Sequence, residues 1–316
     1  MSTFALWALG EGNAELLPAQ EGEGVLVKML FSGISRGTER LVFEGRVPAS
    51  QQESMRCNGQ EGDFSFPVKF GYCAVGEVLE GELKGKKVFA LYPHQNQFRI
   101  AQDQLHLLPQ GLPEARAVLA ANIETALNVV WDSQVSAGDR VNVIGAGVVG
   151  ALVAYLISRI PGVEITLIDI NPARSSLASD LGLAFERPEN APRNCDVVIN
   201  TSASEDGLNL AIESARNEGR IVEASWFGAG KQSIALGGEF HNRRLSLISS
   251  QVGTIPNTKA PRWTFKRRMA KALELLADPT LDLLISGESD FSELGNDYAT
   301  ILSSPNTLCH RISYQR

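Results

Sequence analysis

The sequence predicts an α/β protein in which a β-barrel precedes a doubly wound parallel sheet. Three observations indicate this architecture. Up to about residue 110, short apolar runs alternate with glycine and polar residues, as in a small barrel. Over residues 141–227, strand-like and helix-like segments alternate, which is typical of a parallel sheet. At the start of that region, a glycine-rich turn joins an apolar strand to an apolar helix.

Length and composition narrow the protein class. A chain of 316 residues is long enough for two domains. Its hydrophobic content of 44%, its charged content of 21% and its net charge of −7 describe a globular protein with no general electrostatic attraction to nucleic acid or acidic membranes. The start of the chain lacks the features of a signal peptide, and no run is long enough to span a membrane, so we expect a cytoplasmic location. The cysteines are too widely spaced to indicate a structural zinc site or a disulfide framework.

The elements follow in order along the chain. Before the glycine-rich turn, strands are predicted in residues 24–33, 76–81 and 87–92, a long loop in residues 44–66 and a helix in residues 112–131. After it, strands are predicted in residues 195–200, 219–224 and 245–252, a basic helix in residues 263–277 and a last strand in residues 309–314.

The glycine-rich turn has the spacing of a phosphate-binding motif. Gly145, Gly147 and Gly150 follow the strand at residues 141–144 as G-x-G-x-x-G and open an apolar helix at residues 148–160. The first glycine permits the tight turn, the second lets the backbone approach a pyrophosphate, and the third permits close helix packing. The helix N-terminus, including Val148 and Val149, would receive the phosphates. We therefore predict a dinucleotide site.

An acidic residue selects the cofactor. Asp169 ends the second strand, residues 164–168, where a carboxylate can accept hydrogen bonds from both ribose hydroxyl groups. A 2′-phosphate would be repelled there, so NAD is predicted rather than NADP.

Several segments resemble the medium-chain dehydrogenase/reductase superfamily of alcohol and polyol dehydrogenases. They are the glycine unit together with residues 32–39 (SGISRGTE), 71–78 (GYCAVGEV) and 121–126 (ANIETA). Within the superfamily, the chain looks most like the zinc-lacking members that resemble bacteriochlorophyllide dehydrogenases. The resemblance implies a GroES-like catalytic domain in residues 1–121, a Rossmann NAD-binding domain in residues 122–252 and a C-terminal segment, residues 253–316, that returns to the catalytic domain. It also implies a homodimer.

The chain departs from the zinc-dependent relatives at their metal ligands. Ser35 stands where they carry Cys, and Tyr72-Cys73 stand where they carry His-Glu; only Glu124 matches a candidate ligand. Hydroxyl groups are poor zinc ligands beside thiolate and imidazole. The four-cysteine lobe that binds structural zinc in relatives is absent as well, so we predict no metal.

Without zinc, side chains must handle the proton of the alcohol. Five candidates are available: Thr38, Tyr72, His94, Ser35 and Glu124. Thr38 matches the proton-relaying hydroxyl group of relatives, and we predict that Tyr72 faces the substrate oxygen while His94 connects it to solvent. Alternatively, Tyr72 could pack in the core, His94 could brace a loop and Glu124 could cap a helix.

The remaining candidates are assigned to the cofactor. Arg36 matches a basic residue that relatives use on the pyrophosphate, and Arg174 could stack over the adenine. Ser225 and Ser250 follow strands of the sheet and would lie beside the nicotinamide.

We therefore predict an NAD(H)-dependent oxidoreductase that interconverts a small-molecule alcohol and a carbonyl without zinc. A quinone or enoyl reductase on the same fold is the alternative enzyme, although such enzymes usually use NADPH. A nucleotide-binding sensor or scaffold without catalysis is the alternative from another class.

Overall fold

The computed structural model describes residues 2–10 and 12–314. The chain forms two compact units, one made of Met1–Ala121 with Met269–Arg316 and the other of Asn122–Arg268. Residues 253–268, which the resemblance assigned to the returning segment, pack in the second unit, where Arg268 hydrogen-bonds with Glu124 and Asn128. No helix in the described part of the chain combines the length and the apolar character that crossing a bilayer requires.

The first unit contains two β-sheets and most of the predicted β-structure. Its strands are β1 (Phe4–Gly10), β2 (Asn13–Pro18), β3 (Val25–Ser35), β4 (Glu61–Gly62), β5 (Val68–Lys69), β6 (Ala74–Val78), β7 (Lys87–Ala90), β8 (Gln97–Ile100), β9 (His106–Leu107), β16 (Ile285–Asp290) and β17 (Cys309–Ser313). One sheet has the order β2-β1-β5-β4, and the other has the order β16-β17-β3-β6-β7-β9 with β8 also on β3. The predicted long loop at residues 44–66 holds only a short 3-10 helix, Ala49–Gln51, and β4.

Strand β3 organises this unit because it pairs with β6, β8 and β17. It ends at Ser35, and helix α1 (Arg36–Phe43) begins at the next residue. The other α-helices of the unit are α2 (Glu114–Ala117) and α8 (Leu294–Ser303). The junction of β3 and α1 therefore holds the whole run of residues 35–39 at the end of a central strand.

The second unit is a six-stranded parallel sheet. Its strands are β10 (Arg140–Ile144), β11 (Glu164–Ile168), β12 (Ala184–Glu186), β13 (Cys195–Asn200), β14 (Ala215–Glu223) and β15 (Ser246–Ser249). Their order is β12-β11-β10-β13-β14-β15, and every neighbouring pair is parallel. The order reverses between β10 and β13, as in doubly wound sheets, which bind ligands at this point. The predicted parallel sheet is confirmed.

Helices cover this sheet. They are α4 (Val148–Ile157), α5 (Arg174–Asp180) and α6 (Glu205–Ser214). Helix α3 (Ala120–Ser133) lies at the start of this unit, and α7 (Phe265–Leu275) begins at its end and continues into the first unit. Strand β13 is buried over most of its length and reads as a largely apolar run, as strands of buried parallel sheets do. The sequence located both β13 and β11 with their observed bounds, although β11 is exposed or half-buried over residues 164–166. Strand β15 is shorter than predicted and mostly exposed.

Candidate functional site

Two of the three motif glycines are required by the protein itself. Gly145 has a φ of +100°, and a Cβ there would lie 2.9 Å from the backbone of Ser202, which follows the neighbouring strand β13. A Cβ on Gly150 would lie 1.8 Å from the carbonyl oxygen of Gly145. The turn and the close packing of α4 on the sheet therefore both need glycine, as predicted.

Gly147 is different, because nothing in the protein requires it to be glycine. Its φ of −73° is open to any residue, and an added Cβ would meet nothing within 4 Å. Gly147 is the N-cap of α4, where no side chain caps the helix. Val148 and Val149 begin the helix behind it. The N-terminus of α4 thus opens onto free space that a side chain would fill.

Asp169 lies beside this helix N-terminus. Its carboxylate accepts hydrogen bonds from the backbone N–H of Ala146 at 2.6 Å and from that of Asn171 at 2.7 Å. Each carboxylate oxygen has a further lone pair, so the group can still accept from hydroxyl groups. Arg174 is buried nearby; burial lowers the pKa of its guanidinium, and the Asp169 carboxylate opposes that shift.

The two serine candidates lie at the carboxyl ends of neighbouring strands. The Ser225 backbone N–H donates to the Glu223 carboxylate at 2.7 Å, and its hydroxyl accepts from the Ala203 N–H at 3.0 Å. The Ser250 hydroxyl donates to Asp132 at 2.6 Å. Sequence reasoning missed Glu223, whose pKa is raised by burial although hydrogen bonds from Ser225 and Asn200 oppose the shift.

In the first unit, the structure brings together three of the predicted catalytic residues. The Tyr72 phenol hydrogen-bonds with the side chains of Ser35 and Thr38. Burial raises the pKa of this phenol well above its ordinary value, Cys73 and Glu39 raise it further, and the two hydroxyl groups oppose the shift. We call Ser35, Thr38 and Tyr72 the hydroxyl cluster. It can donate and accept hydrogen bonds, and its phenol carries a proton that it can donate.

Behind the hydroxyl cluster lies a buried carboxylate that the sequence did not single out. Glu39 is fully buried; it accepts from the Ser35 backbone N–H at 2.7 Å and from the Tyr298 hydroxyl at 2.9 Å, and it contacts His94 Nε2 at 2.9 Å. The S-x-x-x-E spacing of Ser35 and Glu39 could have indicated this contact in the sequence. A carboxylate in the first turn of a helix can reach back to the backbone N–H of the residue before the helix. Glu39 fixes the backbone that carries Ser35.

The prediction that His94 connects Tyr72 to solvent is wrong. His94 is fully buried; Nδ1 contacts the Ser32 hydroxyl at 2.8 Å and Nε2 contacts Glu39. Ser32 in turn contacts the Tyr314 hydroxyl at 2.9 Å. Both ring nitrogens are therefore used inside the unit, because buried polar atoms need partners. The structure favours the alternative in which His94 braces its surroundings.

Glu124 lies in the second unit and is paired with a cation. Arg268 Nε donates to its carboxylate at 3.1 Å, and both side chains are buried. Arg268 also donates to Asn128 Oδ1 at 2.6 Å and to the Val252 carbonyl at 2.7 Å. Burial raises the pKa of the Glu124 carboxyl group, and Arg268 opposes the shift. Sequence reasoning missed this buried arginine because it lay in a basic run that read as a solvated helix face.

Arg36 is engaged within the first unit, where its Nε donates to the Leu302 carbonyl at 2.9 Å. Its role on a pyrophosphate stays a prediction.

The residues at the zinc-ligand positions do not fit zinc. Ser35 and Tyr72 offer hydroxyl groups, and Glu124 is held by Arg268. Burial raises the pKa of the Cys73 thiol well above its ordinary value, which opposes the thiolate that zinc binds. Across residues 2–10 and 12–314, no three His, Cys, Asp or Glu side chains form a group that could hold a metal ion.

Comparison with known proteins shows which fold this chain shares. The D-guloside 3-dehydrogenase of Escherichia coli K12 is 24% identical over 313 residues, which cover 90% of this chain and 87% of that protein. The L-idonate 5-dehydrogenase structure from E. coli superposes with a TM-score of 0.79 at 16% identity, over 99% of this chain and 98% of that chain. The fold is that of the medium-chain dehydrogenases/reductases. No family model matches the chain.

Two further solved structures that superpose on this chain carry cofactors. A putative zinc-binding dehydrogenase from Sinorhizobium meliloti 1021 was solved with NADP (TM-score 0.78, 18% identity, 99% of both chains). A protein from E. coli CFT073 described as a short chain alcohol dehydrogenase was solved with NADH (TM-score 0.78, 15% identity, 99% of this chain and 100% of that one). The medium-chain resemblance seen in the sequence is confirmed, and the relatives support an oxidoreductase; membership of a zinc-lacking subgroup stays a prediction.

Proposed function

We propose that the protein is an NAD(H)-dependent oxidoreductase that interconverts an alcohol and a carbonyl without catalytic zinc. The observation that carries the proposal is Gly147. This residue stands at the N-terminus of a helix, at the switch point of a doubly wound sheet, although neither its φ nor its packing requires glycine. An approaching pyrophosphate explains the absence of a side chain there.

The second unit is the proposed cofactor-binding part. The unpaired N–H groups and the positive end of α4 would hold the pyrophosphate, and Asp169 would accept from the ribose hydroxyl groups. The nicotinamide, when bound, supplies or accepts the hydride. Solved neighbours carry either NADP or NADH, so our preference for NAD rests on the negative charge of Asp169.

The first unit is the proposed proton-handling part. In reduction, the Tyr72 phenol donates a hydrogen bond to the carbonyl oxygen and then its proton to the developing alkoxide. Ser35 and Thr38 stabilise the negative charge that this leaves on Tyr72, because their hydroxyl groups already hydrogen-bond with it. A positioned acid of this kind typically contributes about a hundredfold or more to the rate.

The substrate class follows from the relatives. The names guloside and idonate denote sugar derivatives, so we propose a polyol or sugar-derived secondary alcohol and its ketone. A homodimer and a cytoplasmic location also remain proposals.

Calorimetric titration with NADH and NADPH tests the cofactor. We expect tighter binding of NADH, and Asp169→Ser should narrow the difference because it removes the repelling charge. Equal or tighter NADPH binding by the unmodified protein would refute the preference. Oxidation of a polyol panel with NAD then tests turnover, and cofactor binding without turnover of any member would favour the non-catalytic sensor.

A further inference from the structure

One stretch of the chain has a charge pattern opposite to the rest. Between Glu239 and Glu274 there is no Asp or Glu, although the whole chain has a net charge of −7. This stretch holds four basic residues close together in the sequence, and the side chains of two of them lie over two tryptophan rings of the second unit. We call the group the basic aromatic surface: Lys259, Arg262, Lys266 and Arg267 with Trp131 and Trp263.

The tryptophan rings hold two of the cations in place. The rings of Trp131 and Trp263 contact each other with centroids 4.7 Å apart. The Lys259 ammonium lies 5.7 Å from the Trp131 centroid, and the Arg267 guanidinium lies 4.1 Å from the Trp263 centroid. Arg267 also donates to the Arg262 carbonyl. Since cations over aromatic faces are attracted to them, the charged groups are ordered without a carboxylate.

Within the described residues, none of the four cations contacts a carboxylate. Other surface arginines of this chain do: Arg140 pairs with Glu164 at 3.0 Å, and Arg193 pairs with Glu213 at 3.0 Å. Asp132, which follows Trp131 in the chain, already accepts from Ser250 and Asn128, and burial raises its pKa. The four basic residues therefore have no carboxylate partner among the described residues, and like charges repel one another.

The basic aromatic surface adjoins a cofactor candidate. Trp131 directly precedes Asp132, whose carboxylate accepts the Ser250 hydroxyl, and Ser250 follows β15 at the carboxyl end of the parallel sheet. Turns then connect this point to Trp263, where the Lys259 carbonyl accepts from the N–H groups of Arg262 and Trp263. The cations therefore lie on an ordered segment next to the carboxyl ends of the strands, which is the side on which doubly wound sheets bind ligands.

We infer that the substrate carries a phosphate or carboxylate group, and that the basic aromatic surface binds this group. The inference rests on the proposed function and specifies its substrate class. Arginine donates to both kinds of anion in a fixed planar arrangement, which gives the surface direction as well as charge. A neutral polyol would leave the four cations without a counter-charge.

Calorimetry on the NADH-saturated protein tests the inference, because the cofactor then blocks the other anion-binding position. The probes are D-glucitol (neutral), D-gluconate (carboxylate) and D-glucitol 6-phosphate (phosphate). We expect at least one anionic probe to bind about tenfold or more tightly than glucitol, with an advantage that falls as salt is added. The probe that binds more tightly identifies the group.

Matched variants assign the effect to the surface. Arg262→Gln with Arg267→Gln should reduce the anionic advantage to less than about twofold. Arg262→Gln with Lys266→Gln leaves the stacked Arg267 in place and should give an intermediate loss, even if the first pair disturbs Trp263. Lys84→Gln with Lys86→Gln removes two exposed cations from the first unit and should change nothing.

Two results would overturn the inference: equal affinity for neutral and anionic probes, or an anionic advantage that survives both surface variants. Failure of the proposed function has a different signature, since the unmodified protein would then either not bind NADH or bind it without turning over any polyol.

Discussion

Gly147 and Gly150 are both motif glycines, yet a methyl group would have different consequences at each. At Gly147 it would enter free space, and at Gly150 it would collide with the Gly145 carbonyl. Gly147→Ala should lower stability by less than about 1 kcal/mol, because alanine is a poorer N-cap than glycine. It should weaken NADH binding about tenfold or more, because the methyl group would occupy the pyrophosphate position.

Gly150→Ala is the matched comparison. It should lower stability by more than about 1 kcal/mol, because the backbone of α4 must move away from the sheet. Unfolding curves and NADH titrations on both variants separate the two effects. An unchanged NADH affinity in Gly147→Ala would contradict the cofactor assignment.

Tyr72 gives a prediction about pH. Because its pKa is raised above the ordinary value of about 10, the neutral phenol persists as pH rises through that value. Reduction should therefore show no decline from Tyr72 ionisation up to about pH 10. Tyr72→Phe should lower kcat about a hundredfold with little change in NADH affinity. A full loss of rate between pH 7 and pH 9 in the unmodified protein would point to another acid.

Sequence reasoning located residues whose roles depend on local spacing. Gly145, Gly150 and Asp169 were predictable because strand, turn and helix fix their positions within one short segment. Glu39 and Arg268 were not, since their partners lie far away in the chain: Tyr298 for Glu39 and Glu124 for Arg268. His94 was misassigned because its partners, Ser32 and Glu39, also lie far away in the chain. A position in a connecting segment does not show whether the side chain is buried.

At the scale of elements, the ion pair of Arg268 and Glu124 joins the start of α7 to α3. Arg268→Met should cost about 3–5 kcal/mol, because it leaves a buried carboxylate without its cation. The loss should be larger at pH 8 than at pH 5, because removing Arg268 takes away the cation that opposes the rise, so the folded pKa of Glu124 rises further. The stability that a raised folded pKa contributes is present at low pH and disappears as pH rises through that pKa.

Urea unfolding at the two pH values measures this dependence. Glu124→Leu combined with Arg268→Met should recover part of the stability, since no unpaired charge then remains buried. Equal losses at both pH values would show that the Glu124 carboxylate is not the cause.

Helices and strands were predicted most accurately where the local pattern of apolar residues reflects their burial. Strand β13 and the start of α4 matched their observed positions, because buried segments leave a largely apolar signature, and β11 matched although it is buried only at its end. The basic helix predicted at residues 263–277 is observed as Phe265–Leu275. Its basic residues, however, are not all on a solvated face. Arg268 is buried while Lys266 and Arg267 are exposed, and only the tertiary structure separates them.

At the scale of the whole molecule, β15 ends the parallel sheet with a mostly exposed strand that pairs only with β14 within the described residues. An unpaired strand edge can pair with another chain. The proposed homodimer is therefore expected to weaken when Leu247→Pro removes a backbone N–H from this edge. Sedimentation equilibrium measures the change, and an unmodified protein that is monomeric at micromolar concentration would refute the homodimer.

The strands of the second unit come from one continuous part of the chain, whereas those of the first unit come from two separate parts. This difference affects folding during synthesis. All six strands of the parallel sheet lie in one continuous stretch, so the second unit can fold before residues 269–313 are made. Strand β3 must wait, because its residues 31–35 pair with residues 309–313 of β17, which are synthesised after the whole parallel sheet. Pairing across so long a separation is slow, and an unpaired edge invites aggregation. The first unit is then the part of the nascent chain that needs protection longer than the second.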